Sequence, residues 1–431
     1  MLIENVLFSF ILFCAIGFFS FNLRKIVRNI QLGRPSNRFD QPLKRTIILL
    51  KVAFGQTKLF ARPISGILHA IVYWGFLVIT FGTLEMMIDG VFNLDRSFGV
   101  FGNFYNLVTA SGDIMAVLVL ISCLIFIFRR LFLKIKRFSG KEMKKLSSID
   151  AIVALVLIVF LMLSLLTMNI GYIGNHSREI IGSYPISDLL GSFISISSWD
   201  MNNIDLIHKI SWWTHIMIVL IFLNELPYSK HFHVVMSIPN VYFSNLEELG
   251  HMENMPAVTK EVKLMMDQNA ISLMDETSPQ SFGAKDISAL TWVQLMNAYS
   301  CTECGRCTAE CPANQTGKLL SPRKIMMDTR QRVKEVGKNI DKYGKGYNDN
   351  KSLLNDYITP EEIWACTTCN ACTQACPLNI DPLSIIIDLR RYLVMEQSSA
   401  PQELNTMFAN IENNGAPWQF SASDRLNWKD E

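Results

Sequence analysis

The sequence predicts an all-α protein: a five-helix transmembrane bundle followed by a smaller, cysteine-rich helical domain. Three observations predict it. Half of the 431 residues are hydrophobic and only 18% are charged, with a mean hydropathy of +0.23, too apolar for an ordinary soluble protein of this size. The apolar residues concentrate in 1–226, while Lys, Glu, Asp and Asn dominate after residue 245. Eight of the ten cysteines fall in two tight groups late in the chain.

Five apolar stretches read as spans: roughly 2–22, 64–88, 112–132, 150–170 and 207–226. Each approaches the ~20 residues a bilayer core requires. The first lacks a basic leader and a small-residue cleavage site, so it reads as a span and not a signal peptide. Charge placement gives the topology. Loop 23–63 holds Arg24, Lys25, Arg28, Arg34, Arg38, Lys44, Arg45, Lys51, Lys58 and Arg62 against Asp40, and loop 129–149 holds Arg129, Arg130, Lys134, Lys136, Arg137, Lys141, Lys144 and Lys145. The two opposite loops hold only Arg96 and Arg178. The positive-inside rule puts the N-terminus outside and 227–431 inside a cell (inner) membrane. Residues 46–60 read as a helix lying at the interface. The basic residues flank apolar spans and the net charge is only +2, so lipid, and no nucleic acid, is the expected partner.

Histidine inside a bilayer is costly and usually functional. Span two carries His69, and the last span carries His208 and His215, with His231 and His233 after Pro227. His215 and His233 are 18 residues apart, five turns of an unbroken helix, so both would face one way about 27 Å apart. That interval suits two b haems at different depths, because haem iron takes imidazoles from facing helices. His69 and His233 pair as ligands of the inner haem, and His231 points about 160° away from His233 on a regular helix. His215 would serve an outer haem, with His176, His208 or Met87 as its partner. The competing interpretation is interfacial histidines without iron. A quinone site beside the haem is expected, and Glu85, Asp89 and Asp113 near the outer mouth are candidates for proton relay or for solvated helix ends.

The cysteine groups read CTECGRCTAECP (301–312) and CTTCNACTQACP (366–377). Both are C-x2-C-x2-C-x3-C-P. Three cysteines three apart wrap a loop around one cube, and the fourth, before proline, leaves the loop for the other cluster. Cys301, Cys304, Cys307 and Cys376 are therefore assigned to one [4Fe–4S] cluster, and Cys366, Cys369, Cys372 and Cys311 to the other. Zinc would favour separated cysteine pairs. Cys14 and Cys123 sit alone in apolar stretches as packing residues. Gly305 and Ala371 suit close backbone approach to sulfide. Stretches 321–337, 359–369 and 381–397 read as helices, with Ser321 or Thr359 capping ahead of proline. This makes the domain an α-helical ferredoxin. The expected boundaries are 1–243 for the transmembrane haem b domain, 244–284 for a linker, 285–400 for the ferredoxin domain and 401–431 for a tail.

The double motif with helical inserts resembles the iron–sulfur parts of heterodisulfide reductase and of anaerobic glycerol-3-phosphate dehydrogenase over roughly 285–400. Residues 1–243 resemble the gamma subunit of respiratory nitrate reductase: five spans, a histidine on span two and two histidines 18 apart around span five, with PYSKHFHVVMSIPNVYF (227–243) especially similar. That family carries a second histidine on span two, where this chain has Ile79. The fused arrangement is similar to membrane iron–sulfur oxidoreductases linking a soluble donor, such as electron-transfer flavoprotein, to menaquinone. Those continue into cysteine-rich CCG domains, which a separate subunit would supply here. The resemblance implies two [4Fe–4S] clusters, haem b, menaquinone or ubiquinone as substrate, and a cytoplasmic CCG-domain protein or flavoprotein as partner. The expected function is a membrane electron-transfer subunit of a quinone-linked oxidoreductase, with the substrate chemistry on the partner. The alternative is a membrane anchor whose clusters serve a partner without haem or quinone turnover.

Overall fold

The computed structural model describes residues 2–133, 135–138, 140, 142–143, 145–176, 180–266 and 282–430. Of the charges used for topology, Lys134, Lys141, Lys144 and Arg178 lie outside these residues, as does 267–281 of the expected linker. The first part of the chain comprises α1 (Leu2–Ile30), α2 (Pro42–Leu49), α3 (Pro63–Phe92), α4 (Asn103–Phe132), α5 (Lys145–Asn175), α6 (Pro185–Phe193), α7 (Met201–Glu225) and α8 (His233–Tyr242). α1, α3, α4, α5 and α7 are each long and apolar enough to cross a membrane. These are the five expected spans, and the chain is membrane-associated. They outrun the apolar stretches because local signals set their ends. Pro63 starts α3 in its first turn, and Asn93 stops it in the left-handed conformation.

Within the bundle α5 lies between α4 and α7, and α3 packs along α4. α1 leans on α3 and α7 and also reaches the later part of the chain. Its basic end is held by Asp341, which pairs with Lys25 at 3.0 Å and with Arg28.

Two expectations are corrected. Residues 46–60 do not form one interfacial helix. α2 runs into a π turn at Leu50–Phe54, and a 3-10 turn at Thr57–Leu59 follows. The left-handed Gln56, φ 50°, ends the run. Nor does the last span continue to His233. α7 stops at Glu225, and Lys230–Phe232 form a 3-10 turn before α8 begins. Pro227 brings no N–H and crowds the residue before it. The same-face register of His215 and His233 therefore does not apply.

The remaining helices are α9 (Pro256–Met266), α10 (Trp292–Ser300), α11 (Arg306–Ala309), α12 (Pro312–Gln315), α13 (Pro322–Tyr343), α14 (Leu353–Asp356, kinked), α15 (Pro360–Trp364), α16 (Ala371–Ala375), α17 (Pro382–Met395) and α18 (Gln402–Asn414). No strand occurs among the described residues, so the all-α class holds. Ser321 and Thr359 cap α13 and α15 as their sequence implies. The core of this part is continuous with the bundle: Ile26 and Ile30 of α1 and Leu226, Phe232 and Met236 near α8 pack with Leu295, Met296, Ile325, Ile385 and Ile386. The segment after α8 is tied down at both ends, by Lys44 Nζ donating to Leu246 O at 3.2 Å and Arg391 to Glu253 O at 2.7 Å.

Candidate cofactor sites

The two cysteine loops repeat in backbone as well as sequence. α10 and α15 each open with a capping box, Thr291 with Gln294 and Thr359 with Glu362, and deliver Cys301 and Cys366 at or just past their ends. Each loop then turns through left-handed residues at the same two places: Glu303 and Gly305 in the first, Thr368 and Asn370 in the second. Such turns aim successive N–H groups inward, an arrangement suited to sulfur clusters. The Thr368 N–H donates to Cys366 Sγ at 3.4 Å. Gly305 has a further reason to be glycine. A Cβ there would lie 2.6 Å from Arg323 Nη1 and 2.9 Å from Arg137 O.

The loops line two separate cavities. One is lined by Cys301, Cys304, Cys307 and Cys376. The other is lined by Cys311, Cys366, Cys369 and Cys372. Each cavity thus takes three cysteines from one motif and the last cysteine of the other. Among the described residues, no three or more His, Cys, Asp or Glu side chains gather closely enough to hold a single metal ion. Burial, aided by neighbouring cysteines, raises Cys376 to about 12 and Cys307 well above its ordinary 9. Burial also raises Cys301 to about 11 and Cys372 to about 12. Thiols so raised give up their protons only against bound cationic charge, which iron would supply, and the sulfur-only donor set of each cavity fits it. Exposure differs between the sites: Cys301 is buried, and Cys369 is open.

A third site lies where the bundle meets this domain. The His69 and His233 rings face each other with centroids 6.4 Å apart and planes 37° apart. Metal–imidazole bonds of ~2.0 Å would set two ring centres roughly 6–6.5 Å apart. Each Nδ1 is already engaged: that of His69 with Gln56 Oε1 at 3.2 Å, that of His233 with Lys230 O at 3.2 Å. Among the described residues neither Nε2 has a hydrogen-bond partner, the arrangement by which oxygen partners orient metal-binding imidazoles. Burial pushes His233 down from its ordinary value and keeps it neutral, the ligating form. Gln56 is missed by sequence reasoning. Its signal, a buried glutamine between basic residues ahead of span two, has no periodicity to reveal it.

The other histidines go elsewhere. His231 hydrogen-bonds Ser229 Oγ at 2.7 Å and lies 3.8 Å from Asp150. His215, fully buried, turns to α5, with Nδ1 3.1 Å from both Leu161 O and Ser164 Oγ. His208 bonds Met168 O at 3.0 Å, and His176 stacks on Tyr172. Met87 packs beside Phe8 and Met168. The three acids near the far mouth hold loops. Glu85 accepts from Tyr105 Oη at 2.8 Å and Phe98 N at 2.9 Å, Asp89 from Ser97 N at 3.3 Å, and Asp113 from Ile186 N at 2.8 Å and Ser187 N at 2.9 Å.

Arg306, between Cys304 and Cys307, joins the cluster loops to the histidine site. It is 7% exposed and donates to Lys58 O at 3.0 Å, just past Gln56. From there its charge reaches Cys304, Cys376 and His69. On the other side Asn240 of α8 donates to Leu378 O at 2.7 Å, two residues past Cys376.

Comparison with known proteins agrees with the cysteine geometry. Residues 300–380 match the 4Fe-4S dicluster domain family. The chain is 31% identical over its whole length to 61% of a Bacillus subtilis protein named "Probable iron-sulfur-binding oxidoreductase". It is 27% identical, over 92% of its own length, to 55% of the EtfAB:quinone oxidoreductase of Syntrophomonas wolfei. A third of it, 33%, is 32% identical to 35% of a dihydromethanophenazine:CoB–CoM heterodisulfide reductase chain of Methanosarcina mazei. The chain spans 61% and 55% of the first two relatives. No solved structure matches it. It is thus related to iron–sulfur oxidoreductases and heterodisulfide reductase subunits, as its cysteines imply, and it carries a 4Fe-4S dicluster domain.

Proposed function

We propose that this chain conducts electrons between a soluble redox partner and membrane quinone. Cys301, Cys304, Cys307 and Cys376 hold one [4Fe–4S] cluster, and Cys366, Cys369, Cys372 and Cys311 hold the other. His69 and His233 hold one haem b in a domain like the nitrate reductase gamma subunit. When bound, these groups supply one-electron redox chemistry. The protein fixes their spacing and orients each imidazole through Gln56 and Lys230. The dicluster domain faces the cytoplasm, with the N-terminus outside, in keeping with the basic loops on its side. The partner is a CCG-domain protein or a flavoprotein such as electron-transfer flavoprotein, and the quinone is menaquinone or ubiquinone. His215, bonded to α5 and displaced from the register that a second haem would need, is a packing residue in this account.

The observation that carries the proposal is the facing pair of His69 and His233, with free Nε2 atoms, joined through Arg306 to a cavity lined by four cysteines. Purified protein is expected to hold eight cluster irons and one b-type haem, and to reduce or oxidise a quinone analogue. Clusters without haem absorption or quinone turnover would instead support a membrane anchor.

A further inference from the structure

The two cluster loops are repeats, but the charges around them are not. Just before the third cysteine the first loop has Arg306 and the second has Ala371. Around the first cavity Arg306, between Cys304 and Cys307, lines the wall, and Lys58 and Arg137 lie beside it, their carbonyls accepting from Arg306 and Arg323. Arg330 donates to Cys301 O at 2.9 Å and neutralises the neighbouring acid, Glu303. Arg323, 1% exposed, lines the same cavity, but its charge is matched by Glu142 at 2.6 Å. Around the second cavity Arg390 donates to Cys366 O. It is set against Asp381, which accepts from Thr373 Oγ1 at 3.0 Å beside Cys372.

Adding an electron to a thiolate-ligated cluster adds negative charge. Nearby cations favour that step and nearby acids oppose it. Burial alone works the other way, since charge is disfavoured away from water. The same low dielectric, however, magnifies the fixed guanidinium groups inside it.

We propose that the cations around Cys301, Cys304, Cys307 and Cys376, Arg306 foremost, hold that cluster at a higher reduction potential than the cluster of Cys366, Cys369, Cys372 and Cys311. The difference gives the chain a direction. A soluble one-electron donor reduces the second site at the exposed Cys369. One electron then moves to the first site, which is reduced as the second is reoxidised, and leaves toward His69 and His233 for membrane quinone. The chain is accordingly built to oxidise a soluble partner and reduce quinone. This inference rests on the cofactor assignment of the preceding subsection.

The test is a redox titration of the full chain in detergent, followed by electron paramagnetic resonance. Iron and sulfide content are measured first, so that absence of clusters overturns the cofactor reading separately. C369S identifies the second cluster by altering its spectrum. The expected result is that the other cluster titrates at the higher potential. R306A lowers that midpoint alone, and R306K, which keeps the charge, restores most of it. Because Arg306 also bonds the 58–59 backbone, R330M serves as a second variant and is expected to lower the same midpoint. Equal or reversed midpoints in the wild type would overturn the inference. So would R306A and R330M variants that keep their clusters with neither midpoint moved.

Discussion

Arg323 offers the sharpest energetic test of how the dicluster domain is fixed to the bundle. Its side chain is 1% exposed and that of its partner Glu142 is 9% exposed. Glu142 Oε1 accepts from Arg323 Nε at 3.0 Å, from Nη2 at 2.6 Å and from Ser321 Oγ at 2.7 Å, while Arg323 Nη1 donates to Arg137 O at 2.5 Å. Glu142 and Arg137 lie between α4 and α5, so these bonds cross from bundle to domain. Replacing Arg323 with Met leaves a buried carboxylate without its cation, which costs ~3–5 kcal/mol. Ser321 still donates, so the lower end, ~3 kcal/mol, is expected. Against a total stability of ~5–15 kcal/mol this is a large share. The assay is urea denaturation in detergent, followed by cluster absorbance, for R323M, E142Q and the double variant. A coupling energy of about 2–3 kcal/mol is expected. Additive single costs, or a loss under ~1 kcal/mol, would refute the reasoning. pH gives a second reading. Burial opposes ionisation of Glu142, but its hydrogen bonds outweigh it and hold the carboxyl below its ordinary 4.5. A carboxyl so depressed contributes fully above its unfolded value and loses that contribution as the pH falls through its folded one. Stability of the junction should therefore be level from neutral pH to about 5 and fall only in acid, and E142Q should remove that acid loss.

Gly337 of α13 meets α1, and a Cβ there would lie 2.4 Å from Asn29 Nδ2. G337A should cost ~1–3 kcal/mol in the same denaturation assay, and an unchanged midpoint would contradict that packing. In protein stripped of iron, alkylation followed by mass spectrometry should mark the exposed Cys369 well before the buried Cys301 and Cys372, whose thiols burial raises to about 11 and about 12. Equal rates would mean that the loops do not keep this fold without clusters. D113A should lower stability by ~1–3 kcal/mol through lost bonds to Ile186 and Ser187, while leaving quinone turnover by the intact variant unchanged. Slower turnover in folded protein would reinstate Asp113 as a proton relay.

Much of this was legible in the sequence, for physical reasons. The five spans follow from runs of apolar side chains. The caps at Ser321 and Thr359 follow from a hydroxyl ahead of proline. The sharing of Cys311 and Cys376 between cavities follows from spacing, because a fourth cysteine before proline cannot stay on its own loop. The pairing of His69 with His233 was read from their common level in the bundle. Its supports were not legible: Gln56 sits on an irregular turn, and Lys230 acts through its carbonyl, which every residue has. The register between His215 and His233 failed because Pro227 broke the helix on which it depended. Glu85 and Asp113 carry acid side chains that fit a relay as well as a loop anchor, and the anchoring bonds to Tyr105, Phe98, Ile186 and Ser187 join segments no local pattern connects. The cation cage around Cys301 was equally hidden, since Arg137, Arg323 and Arg330 come from segments far apart in the chain.

The central claim, that clusters, His69 and His233 form one route to quinone, is tested most directly by anaerobic optical spectroscopy of the purified chain. One b-type haem per chain, reduced together with the clusters and reoxidised by a menaquinone analogue, is expected. H69A and H233A should lose the haem while keeping all eight cluster irons, and H215A should keep both. A colourless membrane part, or haem retained unchanged in H233A, would contradict it.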